Sequence, residues 1–95
     1  MREYELVMVI SPEVPDESVP ATMDRVQQFI QERGGQVTKV DPWGRRRLAY
    51  RIRRHSEGNY VVAQFSLDPK AVRALEGNLE LAEDVLRHLV VKLEE

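Results

Sequence analysis

Ninety-five residues, 42% of them apolar and 32% charged, describe one ordinary soluble folding unit over residues 1–95, large enough for a core but with little stability to spare. No apolar run approaches the ~20 residues of a membrane span. No cysteine is present for a disulfide or a thiolate metal site, and Met1-Arg2-Glu3-Tyr4-Glu5 lacks the apolar stretch of a secretory signal, so a cytosolic location is expected. The net charge of −2 conceals a division: residues 45–54 hold six of the fourteen basic side chains and no acidic one, which leaves eight basic against sixteen acidic groups elsewhere.

From the N-terminus, Glu3 to Ile10 alternates, with Tyr4, Leu6, Met8 and Ile10 on one face and Val7 and Val9 on the other, which predicts a half-buried strand. Ser11-Pro12-Glu13-Val14-Pro15 breaks it. A helix is expected next, capped at Ser18 and running to Arg33, because Pro20 is tolerated only in a first turn. Val19, Met23, Val26 and Ile30 line its inner face, and Gly34-Gly35 stops it.

Gln36 to Val40 restarts an extended segment, interrupted at Asp41-Pro42-Trp43-Gly44 by a bulge or short loop, since proline cannot donate to a ladder. From Arg46 the alternation returns. Arg46, Leu48, Tyr50 and Ile52 share one parity, expected to face the core, while Arg45, Arg47, Arg51 and Arg53 form a guanidinium ladder on the other. Arg54 to Gly58 is expected to turn, and Asn59 to Leu67 to return as a strand. Asp68-Pro69 then opens a second helix, with Val72, Leu75 and Leu79 inward, and Val85 to Leu93 forms the last strand.

Strand-helix-strand-strand-helix-strand is the order of the ferredoxin-like split β-α-β-β-α-β fold, an α+β architecture. Its four-stranded antiparallel sheet carries both helices on one face and leaves the other available.

Little in the chain suggests catalysis. His55 falls in a polar turn and His88 in the final strand, neither beside a nucleophile or a metal-ligand spacing, so no metal, cofactor or small-molecule substrate is expected. Acylphosphatases share the topology and bind phosphate in the first loop. Here that loop, residues 11–17, contains two prolines that lack amide donors and three acids that repel phosphate. A homo-oligomeric regulatory module with a ligand at a sheet edge is a further alternative.

Six arginines in ten residues, set in an acidic body, favour a polyanion partner over a merely solvated edge. Arginine suits phosphate because its planar fork stays charged and donates two hydrogen bonds. Trp43 is left between a residue that stacks on bases and one packed over the sheet edge, whereas Tyr50 is expected in the core.

The opening Met1-Arg2-Glu3-Tyr4-Glu5, the block Trp43-Gly44-Arg45-Arg46-Arg47-Leu48-Ala49-Tyr50-Arg51-Ile52 and the closing Val85-Leu86-Arg87-His88-Leu89-Val90-Val91-Lys92 resemble the bacterial small-subunit ribosomal protein S-six family along the whole chain. The resemblance implies a non-enzymatic component of the small ribosomal subunit. It implies binding to the central domain (platform) of the small-subunit (16S) ribosomal RNA, together with ribosomal protein S-eighteen. Carried over by position, Arg2, Arg45, Arg46, Arg47, Arg51, Arg87 and Lys92 become the candidates for RNA contact, Arg45 and Arg47 foremost. Val7, Val9, Trp43, Tyr60 and Val62 become candidates for the protein partner.

Overall fold

The computed structural model describes residues 1–93. Its elements are β1 (Arg2–Ile10), a single 3-10 turn (Asp16–Ser18), α1 (Val19–Glu32), β2 (Gln36–Ile52), β3 (His55–Leu67), α2 (Pro69–Leu81) and β4 (Val85–Lys92). The strands form one antiparallel sheet in the order β2-β3-β1-β4, the arrangement of the ferredoxin-like split fold.

Alternation in the two central strands decides where the core lies. Tyr4, Leu6, Met8 and Ile10 of β1 sit opposite Phe65, Ala63, Val61 and Asn59 of β3, so the apolar sets share a face. The helices cover that face with Met23, Val26 and Ile30 from α1 and Leu75 and Leu79 from α2. The Tyr4 and Phe65 rings stack at 5.4 Å, and Phe65 is wholly shielded from solvent, a burial that stabilises by about 1.5–3 kcal/mol.

The helix ends obey their local chemistry. Asp68 caps α2 by accepting a hydrogen bond from the Lys70 backbone N–H at 2.9 Å. Ser18 occupies the N-cap position of α1 without a side-chain cap bond, and Pro20 lies in the first turn. At the other end Gly34 adopts φ +81°; its N–H donates to the Gln31 carbonyl and the Gly35 N–H to the Ile30 carbonyl, the paired bonds of a Schellman stop. A Cβ on Gly35 would run into the Ser66 carbonyl oxygen, so the chain leaves the helix by passing flush against β3.

A partly buried polar network ties α1 to the entry of β4. The Thr22 hydroxyl donates to Asp84 at 2.7 Å, and the Arg25 guanidinium pairs with the same carboxylate. Burial pushes the Asp84 carboxyl up, but the Thr22 hydrogen bond and the Arg25 charge outweigh it and hold the group below the usual carboxylate range.

β2 departs from the expectation in register. Its ladder with β3 shifts between Val37 and Lys39, between Pro42 and Gly44, and between Arg47 and Ile52. Each extra residue inverts the parity that follows. After the second shift Arg45 pairs with Asn59, on the helix side, while Gly44 and Arg46 pair with Tyr60 and Gly58 on the face away from the helices. Leu48, of Arg46 parity, therefore joins a second, smaller cluster with Val9 and Leu86, on the far side of the sheet from the main core. Tyr50, expected in the core, is 54% exposed. Residues 41–44 carry the expected interruption as a bulge between Pro42 and Gly44 inside a continuous edge strand, whereas the β2–β3 turn sits at Arg53 and Arg54, not at residues 54–58.

Candidate nucleic-acid interface

The last residue pair between β1 and β3 joins Ile10 to Asn59, and the β2–β3 hairpin continues past it from Arg46–Gly58 to its tip. Residues 46–58 thus form an arm beyond the end of the sheet. Leu48 and Ile52 pack against Val9 and Leu86, which curls the arm toward the face without helices. Gly58 allows this approach, because a Cβ there would collide with a Val9 methyl carbon at 2.6 Å.

Polar anchors fasten the arm at its base and tip. Arg45, at the base, donates to Asp16 at 3.2 Å and to the Pro12 carbonyl at 3.4 Å, and its second guanidinium nitrogen lies 3.6 Å from Glu57. Asp16 also accepts from the buried Asn59 amide at 3.3 Å. His55 lies 3.7 Å from Glu13, an ion pair whenever the imidazole is protonated. Near the tip, Arg53 donates to the Glu83 carbonyl at 3.3 Å, and Arg51 donates to the Arg54 carbonyl at 3.1 Å. Arg87 of β4 donates to the Tyr50 hydroxyl at 2.8 Å and lies over its ring, so Tyr50 bridges arm and sheet edge from an exposed position.

The six arginines of the segment consequently differ in what they offer. Arg46, Arg47 and Arg54 spend no guanidinium N–H on another group among the described residues, although Arg46 lies 5.3 Å from the Trp43 ring. Arg45, Arg51 and Arg53 are engaged as described. The exposed guanidinium groups concentrate positive charge on one projection of an acidic body, an arrangement that attracts a polyanion.

Of the RNA candidates, Arg45, Arg46, Arg47, Arg51 and Arg87 come together around the arm. Arg2 and Lys92 do not: they pair with Leu67 and Tyr4 at the opposite end of the sheet, roughly 25 Å away along β1 at ~3.3 Å per residue. Of the partner candidates, Val7, Val9, Tyr60 and Val62 share the helix-free face, but Val9 lies beneath the arm and Val62 is buried. Trp43 is 47% exposed and stacks on Tyr60 with ring centroids 6.4 Å apart, while its indole N–H donates to Asp41. Exposed Leu89 and Val91 of β4 extend this apolar surface, and a depression of about 200 Å³ opens between Val7, Val9, Tyr60, Arg87 and Leu89.

The first loop has spent most of its amides internally. Ser11 donates to the Asp84 carbonyl, Val14 to the Ser11 carbonyl and Glu13 to the Ser11 hydroxyl, which takes three of the five N–H groups of residues 11–17 away from an anion. Among the described residues no cluster of three His, Asp or Glu side chains could hold a metal, and no helix is long and apolar enough to cross a membrane. The residues that sequence reasoning missed are Asp16, Glu57 and Asn59 around Arg45, and the Tyr50–Arg87 bridge. Their partners lie up to 43 residues apart in the chain, and no local pattern signals them.

Comparison with known proteins agrees with this architecture. The family model described as ribosomal protein S6 matches residues 3–92. Small ribosomal subunit protein bS6 of Moorella thermoacetica is 43% identical over 95 residues, covering 100% of this chain and 97% of that protein. Its counterpart from Acidothermus cellulolyticus is 44% identical over 92 residues, covering 97% and 96%. A crystal structure of 30S ribosomal protein S6 from Thermotoga maritima superposes with a TM-score of 0.89 at 33% identity, covering 96% of this chain and 86% of that one.

Proposed function

The chain belongs to the ribosomal protein S6 family, a small-subunit ribosomal protein and not an enzyme, and from that premise we propose that it binds small-subunit (16S) ribosomal RNA through the arginine arm. It does so in the central domain, or platform, of the bacterial small subunit, jointly with ribosomal protein S-eighteen, and works on ribosomes in the cytoplasm. The observation that carries this reading is the arm itself: a basic hairpin that projects from an acidic body and exposes unspent guanidinium groups. Phosphate is the matching ligand, because the planar fork of arginine pairs with it bidentately. The protein partner occupies the helix-free face, where Trp43, Tyr60, Val7 and Leu89 offer apolar contact beside Arg87. Net charge is no obstacle, since the local field decides contact and a basic partner neutralises further phosphates.

Two measurements test this. The protein should co-purify with small ribosomal subunits; recovery free of them would sink the proposal. Replacing Arg45, Arg46 and Arg47 with Ala should leave the fold intact and weaken entry into the partner–RNA complex at ~150 mM salt, with the isolated chain binding RNA only weakly. Unchanged assembly would show that the arm is not the contact surface.

A further inference from the structure

The arginines of the arm are chemically unequal, and this carries the proposed function one step further. Arg45 stands at the base of the arm, paired with Asn59 beside the last residue of β1, where a small rotation moves everything beyond it. It contacts two carboxylates, Asp16 and Glu57, and the Pro12 carbonyl. Asp16 is itself held by the buried Asn59 amide, so the pair is anchored to the core side of β3. A phosphate approaching Arg45 would meet both carboxylates and have to displace one of them. Arg46, Arg47 and Arg54 impose no such exchange: among the described residues none of them forms an ion pair, and Glu57, opposite Arg47 in the ladder, pairs its carboxylate with Arg45 instead.

Resting on the RNA-binding reading above, we infer that Arg45 is a positioning residue that locks the arm to the acidic β1–α1 loop, while Arg46, Arg47 and Arg54 make the phosphate contacts. The acids of that loop then have a task in a protein that binds a polyanion. Asp16 holds the arm by its base, and Glu13 adds a contact to His55 in the returning strand.

The test uses the full chain and two readouts. The first is amide hydrogen exchange of residues 46–58 without RNA. Arg45→Ala and Asp16→Asn should each speed exchange there roughly two- to fivefold, the effect of losing a surface charge pair, whereas Arg47→Ala should not. The second is affinity for a central-domain fragment of small-subunit ribosomal RNA, in the presence of the protein partner, over a series of salt concentrations. Arg47→Ala should flatten the slope of log affinity against log salt by about 0.7–0.9, the signature of one lost phosphate contact. Arg45→Ala should weaken binding at every salt concentration with the slope unchanged, Arg45→Lys should restore most of it, and Asp16→Asn should weaken binding as Arg45→Ala does. Exchange unaltered by Arg45→Ala and Asp16→Asn would overturn the clamp whether or not RNA binds. A flattened slope for Arg45→Ala together with tighter binding by Asp16→Asn would overturn it as well, by making Arg45 a phosphate contact that Asp16 restrains. Absence of RNA binding by the unmodified protein would sink the proposed function, leaving the exchange readout to judge the clamp.

Discussion

Replacing Arg53 and Arg54 at the tip of the arm with Asn and Gly is expected to stabilise the protein while weakening its hold on RNA. Arg53 and Arg54 have φ of 50° and 73°, and they join Ile52 to its ladder partner His55. Two positive φ values in a two-residue hairpin loop are the requirement of a type I′ turn, for which Asn-Gly is the favoured sequence. A left-handed conformation costs about 1–2 kcal/mol for a residue with a full Cβ. Asn relieves part of that at the first position, and Gly relieves all of it at the second. Against this gain stand the extra freedom of glycine in the unfolded chain, about 0.5–1 kcal/mol. Loss of the exposed Arg53 bond to the Glu83 carbonyl removes roughly 0.5 kcal/mol more. The balance is a stabilisation of about 1 kcal/mol, or roughly 4–8 °C in Tm for a chain of this size. Thermal melting by circular dichroism, with a urea titration to check that the m-value is unchanged, measures it. An unchanged or lower Tm would refute the strain assigned to the turn. In the same variant the salt dependence of RNA affinity should flatten by about 0.7–0.9, because Arg54 is lost as a contact. A stabilised variant with unaltered RNA binding would mean that the two arginines occupy strained positions for some other reason.

Three further outcomes follow from the packing. Asp84→Asn should destabilise by about 1–2 kcal/mol at neutral pH, since the charged acceptor of Thr22 and Arg25 is removed. The carboxyl is held below its ordinary value of 3.8, so its contribution is fully present above that pH and is lost as pH falls through the depressed value. Stability curves of the two proteins should therefore converge in acid, and a gap that persists at the lowest pH would contradict the assignment. Gly77→Ala should stabilise by about 0.5–1 kcal/mol in a melt, because the position lies inside α2 and a Cβ there meets nothing within 4 Å. Gly35→Ala should cost about 2 kcal/mol in the same assay, since its Cβ is driven into the Ser66 carbonyl and the Ile30 and Leu67 side chains.

Much of the architecture was written in short-range patterns. Alternation in β1 and β3, the four-three-four spacing of Val19, Met23, Val26 and Ile30, the helix stop at Gly34-Gly35 and the helix start at Asp68-Pro69 each act within a few residues, so chain order reveals them. β2 resisted the same treatment. Its parity was legible at each point, but three ladder shifts decide which face each parity serves, and a shift is a property of two strands together. For that reason Tyr50 was expected inside and is outside, and Leu48 is buried on the face opposite the one anticipated.

The arginine segment shows the division most clearly. Its composition and its contrast with an acidic body are facts of the sequence alone, because charge adds up along the chain regardless of folding. Its outline as a hairpin, and its resemblance to a ribosomal family, needed nothing more than the order of residues. Which guanidinium groups face outward was settled only by tertiary structure. Asp16 lies 29 residues from Arg45, and Tyr50 lies 37 from Arg87. Contacts at such separations exist only once the sheet has placed the β1–α1 loop, the arm and β4 at the same end of the molecule.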